Sequence, residues 1–177
     1  YGPWSKQAAY DTIIQAVSGL MDATGEPNGK PTRVGTSVSD VVAGIMGYSA
    51  ITTALVARER TGKGTTIDVS MLDSTFSLMV QDLMLARGPH EVPHRIGNRH
   101  PDMYPFDTFY CQDQTIAICC GNDHLLGLLS HALGHEEWMN QADFKTNDLR
   151  EKNWQKVKNA MQDVLKTKPA AEWDKIL

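Results

Sequence analysis

The feature that most constrains the fold is an uncharged run, Val41–Ala57, that directly follows a cluster of helix-starting residues. Ser37, Ser39 and Asp40 form that cluster, and side chains of these types are typical of the cap or first turn of a helix. Arg58-Glu59-Arg60 ends the run, and glycines follow as a stop signal. The pattern predicts a single buried helix with one carboxylate at its N-terminus.

Asp40 stands where two physical effects act on a carboxylate in opposite directions. The unpaired N–H groups and the dipole of a helix start favour the anion, whereas dry apolar surroundings disfavour it. A carboxylate held in this balance is suited to nucleophilic attack on an activated acyl group. The alternative is that Asp40 only caps a core helix, and spacing alone favours that interpretation.

The charge distribution argues against two classes of partner. Charged residues make up 21% of the 177 residues, the formal net charge is −4, and Lys and Arg are scattered without a basic stripe. We therefore expect no nucleic-acid partner and no anionic membrane surface. The uncharged run is rich in Gly, Ala, Ser and Thr, and we expect it to fall short of a membrane span.

The cysteines and histidines do not have the spacing of a disulfide framework or a metal site. The chain has three cysteines, Cys111, Cys119 and Cys120, which is an odd number. Cys119 and Cys120 are adjacent, and adjacent side chains on a strand point to opposite faces, so no disulfide is implied. A reducing cytoplasm or organelle matrix is the expected location. His90 and His94 are flanked by prolines that argue against a helical ligand pair, so we predict no metal.

The first half of the chain is predicted to be mostly helical. Helices are expected over residues 8–21 and 71–86, with a short β-branched strand over 65–69. Ser70 is expected to cap the second of these helices, with Asp73 at the capping-box position. The predicted buried set of that helix is Met71, Leu72, Phe76, Met79, Val80, Leu83 and Met84.

The second half is predicted to be a small mixed unit. Residues 106–110 and 115–119 alternate in polarity around a turn, which indicates an antiparallel hairpin. Asn122 is expected to cap a helix that ends near Gly134. Another helix begins near Pro169, and the helix before it is predicted to bury one face formed by Trp154, Val157, Met161 and Val164.

Several stretches occur in the order and spacing of one known family. They are Tyr1–Pro3, Tyr10–Met21, Thr24–Pro27, Val34–Asp40, Arg60–Gly64, Ile67–Asp73, Gly97–Pro101 and Cys120–Asp123. Together they resemble the family III CoA-transferases, named after CaiB and BaiF, which include formyl-CoA, succinyl-CoA and carnitine CoA-transferases. The resemblance implies an α/β fold, of which residues 1–98 are a helical part of the large domain. Residues 99–177 would then be a small α+β domain, incomplete at its C-terminus.

The resemblance also implies a reaction. An enzyme of this kind moves CoA from an acyl-CoA donor to a carboxylic acid acceptor, through an aspartyl anhydride and an aspartyl-CoA thioester. The matched aspartate is Asp40, which would be the nucleophile. Coenzyme A, carried as acyl-CoA, is a substrate, and no metal is needed because one carboxylate exchanges for another.

Further site residues follow from the resemblance, and each has a plainer alternative. Tyr10, Asp11 and Met71 match positions near the thioester end and pantetheine arm of CoA. The alternatives are a packed aromatic, a first-turn acid favoured by the helix dipole, and core filling. Asn98 and Arg99 match a loop that covers the site, and Arg99 would pair with a substrate carboxylate. The alternative for Arg99 is a solvated loop charge.

Two other functions remain open. The 2-methylacyl-CoA racemases resemble this chain but carry histidine at Tyr10 and glutamate at Asn122. A free tyrosine titrates at about pH 10, which suits proton exchange at neutral pH poorly, so transferase is favoured over racemase. The third possibility is a non-catalytic assembly module.

The extent of the chain carries an expectation of its own. Relatives have a nucleotide-binding α/β domain before the equivalent of Tyr1 and more chain after Leu177. We therefore expect a piece of a longer subunit that is inactive alone, whose full-length form is an interlocked homodimer. The expected location is the cytoplasm, or the mitochondrial or peroxisomal matrix in a eukaryote.

Overall fold

The structure is a computed structural model that describes residues 4–85 and 94–177. The chain divides into two units between Gly97 and Asn98. The predicted domain boundary, between residues 98 and 99, stays a prediction. The two units are described separately below.

The described part of the first unit is helical. Its elements are α1 (Asp11–Val17), α2 (Leu20–Ala23), α3 (Val38–Thr61), α4 (Met71–Phe76), a 3-10 turn (Ser77–Met79) and α5 (Val80–Leu85). The helix predicted over residues 8–21 is interrupted at Gly19, whose φ of 90° is a left-handed conformation that glycine adopts without strain. Helix α1 packs against α3 and α4, and α3 packs against α4.

Helix α3 contains the predicted uncharged run, but the prediction that this helix is buried is wrong for this chain. Only Ser39 and Val42 are buried, whereas Ile45, Tyr48 and Ile51 are exposed. In the part of the chain that the structure describes, α3 is the one helix long and apolar enough to cross a membrane, so the expectation that the uncharged run falls short of a span is wrong by length and composition. A helix covered by protein has the same length and composition, so these properties alone do not distinguish the two surroundings.

Two predictions for residues 65–86 need correction. Residues 65–69 form no strand, because no described segment pairs with them, and β-branched alternation does not suffice without a partner. The predicted helix is α4, the 3-10 turn and α5 in succession. Ser70 caps α4 as predicted, accepting from the Asp73 N–H. Of the predicted buried set only Met79 is buried; Met71 and Leu72 are half-buried, and Phe76, Val80, Leu83 and Met84 are exposed.

The second unit begins with the predicted hairpin. Strands β1 (Phe106–Tyr110) and β2 (Thr115–Cys119) are antiparallel, with Thr108 opposite Ala117. The elements that follow are α6 (Asp123–Ala132), 3-10 turns over Glu136–Asn140 and Ala142–Phe144, α7 (Asn147–Lys152), α8 (Trp154–Leu165) and α9 (Ala170–Ile176). Asn122 caps α6 by accepting from the Leu125 N–H, as predicted.

A continuous core lies between the hairpin and the helices of the second unit. It includes Tyr104, Phe109, Ile118, Leu126, Trp138, Phe144, Val157, Met161, Leu165 and Trp173. The inward residues of the strands alternate with outward ones, which gives the hairpin one buried face. Helix α8 buries Val157 and Met161, with Trp154 and Val164 partly buried beside them, so the predicted apolar face is confirmed.

Candidate active site

Asp40 lies in the first turn of α3, as the third residue of the helix. Its side chain is exposed, and among the described residues its carboxylate has no hydrogen bond or ion pair. The first backbone bond of the helix runs from the Val41 N–H to the Ser37 carbonyl. The Asp40 carboxylate is therefore held by its backbone at a helix start and makes no structural contact within residues 4–85 and 94–177.

The start of α3 is capped from another helix. Ser37 occupies the N-cap position but makes no side-chain capping bond. Instead the Asp11 carboxylate, in the first turn of α1, accepts the Ser39 N–H at 3.0 Å. Helix starts leave such N–H groups unpaired, and a carboxylate accepts a strong, charge-assisted hydrogen bond from them. Because Tyr10 precedes Asp11 and Asp40 follows Ser39, this bond places the backbones of Tyr10 and Asp40 near each other.

Gln15 extends the connection along the segment that leads into α3. Its side-chain nitrogen donates to both Asp11 oxygens, at 3.0 and 2.9 Å, and its side-chain oxygen accepts the Val34 N–H at 2.9 Å. The same nitrogen lies 3.4 Å from the Thr36 carbonyl. Gln15 is fully buried, so these bonds are shielded from water.

Burial and hydrogen bonding act on Asp11 in opposite directions. Burial raises the pKa of its carboxyl. The hydrogen bonds from Gln15, the Ser39 N–H and Arg33 lower the pKa by more than burial raises it, so the pKa lies below its usual value. Arg33 lies 3.3 Å from one Asp11 oxygen. Asp11 is therefore a buried anion at neutral pH, with each oxygen already accepting hydrogen bonds.

The predicted CoA-binding residues of the first unit lie in different surroundings. Tyr10 is 72% exposed, so its ring is available to a ligand. Met71 is the first residue of α4 and is half-buried. Asp11 is buried, and its predicted contact with CoA stays a prediction that its carboxylate geometry does not favour.

A cavity of about 490 Å³ lies beside this region of the first unit. Its lining is mostly apolar and includes Ala8, Ala9, Ile13, Val17, Met71 and Leu72. Ala8 and Ala9 directly precede Tyr10, so the cavity is next to the segment that Asp11 ties to α3. A pocket of this size and lining is typical of a site for a small organic ligand.

The remaining predicted site residues belong to the second unit. The Asn98 side-chain amide donates to the Thr108 hydroxyl at 3.1 Å. The Arg99 guanidinium lies over the Trp154 ring, 5.1 Å from its centroid, which is a cation–π contact. Arg99 is thus half-buried and oriented by an aromatic ring, not only a solvated loop charge. Their predicted role at the substrate stays a prediction.

No group of three or more His, Cys, Asp or Glu side chains with metal-site geometry occurs within residues 4–85 and 94–177. His90, one of the histidines considered from the sequence, lies outside the described residues.

Three residues of the site were missed by sequence reasoning: Gln15, Arg33 and the Ser39 backbone. A signal for one of them existed, because Asp11 and Gln15 are four residues apart on a helix, where Gln and Asp side chains meet. The bonds to Val34 and Ser39 join residues 19 and 28 positions away. Such long-range bonds have no local signature.

Comparisons with known proteins identify the family of this chain. The family model for CoA-transferase family III matches residues 1–177. An acetyl-CoA:oxalate CoA-transferase from Acetobacter aceti is 49% identical over 173 residues, which are 97% of this chain and 44% of that protein. A succinate–glutarate CoA-transferase from Agrobacterium fabrum is 34% identical over 149 residues, 84% of this chain and 37% of that protein.

A solved structure extends the likeness to the fold. The crystal structure of a CAIB/BAIF family protein from Brucella suis matches with a TM-score of 0.81 at 34% identity, covering 99% of this chain and 48% of that one. The chain therefore belongs to CoA-transferase family III, and the predicted family and fold class are confirmed. It spans less than half the length of these relatives.

Proposed function

We propose that this chain is part of a longer CoA-transferase in which Asp40 is the nucleophile. The observation that carries the proposal is the exposed Asp40 carboxylate at the start of α3, which has no partner in the part of the chain that the structure describes, in a member of this family. A structural cap would use its oxygens on backbone N–H groups, and in this helix Asp11 does so instead.

In the proposed reaction, thiolate and carboxylate groups replace each other at acyl carbons in successive steps. An Asp40 oxygen attacks the thioester carbonyl of the donor, the C–S bond breaks, and CoA leaves as thiolate, giving a mixed anhydride. The thiolate then attacks the Asp40 carbonyl, which releases the donor acid and forms an aspartyl-CoA thioester. The acceptor carboxylate then attacks the aspartyl thioester, and CoA leaves again as thiolate to give a second mixed anhydride. The thiolate attacks the acceptor's carbonyl carbon in this anhydride, which forms the product acyl-CoA and releases the Asp40 carboxylate.

Each attack produces a tetrahedral oxyanion that needs hydrogen-bond donors. The N–H groups of Val38 and Asp40 have no partner among the described residues, as expected in the first turn of a helix. They are backbone groups and need no reorganisation when charge develops. We propose that Tyr10 and Met71 hold the thioester end of CoA, with the adjacent apolar cavity taking part of its pantetheine arm or acyl group.

The names of the relatives suggest the class of acceptor. Oxalate, succinate and glutarate, which those names contain, are dicarboxylic acids, and the acetyl-CoA of the first name carries a monocarboxylic acyl group. We therefore propose a short dicarboxylate as acceptor or donor acid. One carboxylate would react and the other would be recognised by a cation, for which Arg99 stays the predicted candidate.

The proposed assembly follows from the exposed surface of α3. Ile45, Tyr48 and Ile51 lie along one side of this helix and are exposed. Apolar side chains spaced in this way normally face protein, so we propose that the remaining chain and a second copy cover them in a homodimer. Proton exchange by a racemase of the same family is the second candidate, and the Tyr10 side chain disfavours it.

The test of the nucleophile is Asp40→Asn in the full-length protein. The expected result is a loss of transfer of at least about a thousandfold, because the amide cannot form the anhydride, with KM for acyl-CoA little changed. Hydroxylamine treatment of wild type during turnover should label Asp40, as judged by peptide mass. Glu59→Gln, at the other end of α3, is the control carboxylate and should retain full activity.

The outcomes separate the candidates. Transfer within a few-fold of wild type in Asp40→Asn would exclude the nucleophile role. Exchange of the α-hydrogen of a 2-methylacyl-CoA in deuterated water, without any acceptor acid, would favour the racemase. A panel of oxalate, succinate, glutarate and benzoate tests the acceptor class, and we expect benzoate, which has no second carboxylate, to be poorer by about a hundredfold or more.

A further inference from the structure

We propose that Asp11 and Gln15 are positioning residues: they fix the start of α3 and thereby the place of Asp40. The inference rests on the proposed function, in which Asp40 is the nucleophile. It also differs from the family-based expectation, in which Asp11 contacts CoA.

The first argument is that α3 has no cap of its own. Ser37 makes no capping bond, and the Ser39 hydroxyl, which is buried, has no partner among the described residues. The Asp11 carboxylate, 28 residues earlier in the chain, accepts the Ser39 N–H. Loss of a capping partner leaves a buried N–H unpaired and frees the first turn to fray. Asp40 is the next residue and moves with it.

The second argument is that the segment before α3 is held at several points by the same two side chains. Gln15 accepts the Val34 N–H and lies within reach of the Thr36 carbonyl, while Asp11 accepts from Arg33 and the Ser39 N–H. These contacts hold residues 33, 34, 36 and 39, so the path of the segment onto α3 is set by α1. The rest of α3 is exposed or half-buried except at Val42, which leaves little other packing to fix its start.

The third argument is that the Asp11 carboxylate is not available to a ligand. One oxygen accepts from Gln15 and Ser39, the other from Gln15 and Arg33, and the residue is 6% exposed. A CoA group at this carboxylate would have to displace one of these donors. Asp11 therefore acts through Ser39 on Asp40 and not on the substrate.

The hydrogen-bond polarity of the pair gives a sharp test. Asp11→Asn turns an amide nitrogen toward Gln15 or Arg33, which are both donors. Gln15 cannot rotate its amide to accept this group without turning its nitrogen toward the Val34 N–H. The double variant D11N/Q15E restores the bonds among positions 11, 15, 34 and 39, while the longer contacts of 3.3 Å with Arg33 and 3.4 Å with the Thr36 carbonyl are lost. The amide nitrogen introduced at position 11 donates to the new carboxylate at position 15, which also accepts the Val34 N–H, while the amide oxygen at position 11 still accepts the Ser39 N–H.

The variants are assayed in the full-length protein by steady-state kinetics. We expect Asp11→Asn to lower kcat by about 10- to 100-fold with KM for acyl-CoA within about threefold, because misplacement by about 1 Å is enough for such a loss. D11N/Q15E should recover kcat to within about fivefold of wild type. An increase in KM at unchanged kcat, or a double variant no better than Asp11→Asn, would overturn the proposal.

Hydrogen exchange at the Ser39 amide provides a readout that does not depend on the chemistry of Asp40. Exchange should accelerate at least about tenfold in Asp11→Asn and return toward wild type in D11N/Q15E. If Asp40 proves not to be the nucleophile, this pattern still holds and only the proposed function fails. If exchange at Ser39 is unchanged in Asp11→Asn, the positioning proposal fails whatever Asp40 does.

Discussion

At the scale of single residues, Arg150 is a polar side chain of the second unit that is almost completely engaged. It is 1% exposed, and its guanidinium donates to the Tyr104 carbonyl at 2.6 Å and the Phe144 carbonyl at 2.8 Å. A third bond, also 2.8 Å, reaches Asp123, which lies largely in solvent. Arg150 therefore ties the segment before the hairpin, a 3-10 turn and the start of α6 to α7.

Arg150→Met is expected to lower the free energy of unfolding of the second unit by about 3–5 kcal/mol, because two buried carbonyls lose their donors. The measurement is urea unfolding followed by tryptophan fluorescence, which mainly reports on this unit because three of the four tryptophans are in it. Asp123→Asn is the control and should lose less than about 1 kcal/mol, since residue 123 lies largely in solvent and the Asn side-chain oxygen still accepts the bond from Arg150. Equal losses for the two variants would contradict the prediction that the bonds to the two carbonyls contribute more stability than the ion pair with Asp123.

Some residues of the site were predictable and others were not, for a physical reason. The helix-starting types before the uncharged run placed Asp40 at a helix start, and α3 begins there. The caps of Ser70 and Asn122 were also predictable, because a cap is a contact over three residues. The bond from Asp11 to Ser39 was not, since only the folded backbone brings residues so far apart in the chain together.

At the scale of elements, periodicity predicts a buried face only when the covering partner is in the same unit. Helix α8 was predicted to bury one face, and it lies on the hairpin and neighbouring helices. The apolar residues of α3 gave an equally strong expectation of burial, yet most are exposed. Periodicity and composition predict that one face of a helix is buried, but they do not identify the element or subunit that buries it.

The face of α8 allows a quantitative prediction. Met161→Ala is expected to lower the free energy of unfolding by about 2–5 kcal/mol, because Met161 is fully buried and the truncation leaves a cavity in the core. Asn159→Ala, on the exposed side of the same helix, should change it by less than about 0.5 kcal/mol. Tryptophan fluorescence in urea measures both. A loss below about 1 kcal/mol for Met161→Ala would mean that the core closes around the gap.

At the scale of the whole molecule, the exposed stripe of α3 and the length of the chain have a common explanation. The stripe consists of Val41, Ile45, Tyr48, Ile51 and Leu55. The chain covers less than half of each relative described above. A protein that left such a stripe in water would tend to aggregate, and we propose that a second copy together with further chain covers it, with a membrane as the alternative.

The variant Ile45→Lys/Ile51→Lys tests which of these covers the stripe. If a second copy and the remaining chain cover it, two buried lysines disrupt the contact, and the full-length protein should change from dimer to monomer in light scattering and lose at least about tenfold in transfer. Glu59→Lys adds positive charge to α3 outside the stripe and should leave the dimer intact. Flotation of the wild-type protein with neutral lipid vesicles, abolished by the double variant, would indicate a membrane instead. A dimer that survives both lysines would place the interface elsewhere, because a desolvated lysine pair at the centre of an apolar contact has no partner to offset its loss of water.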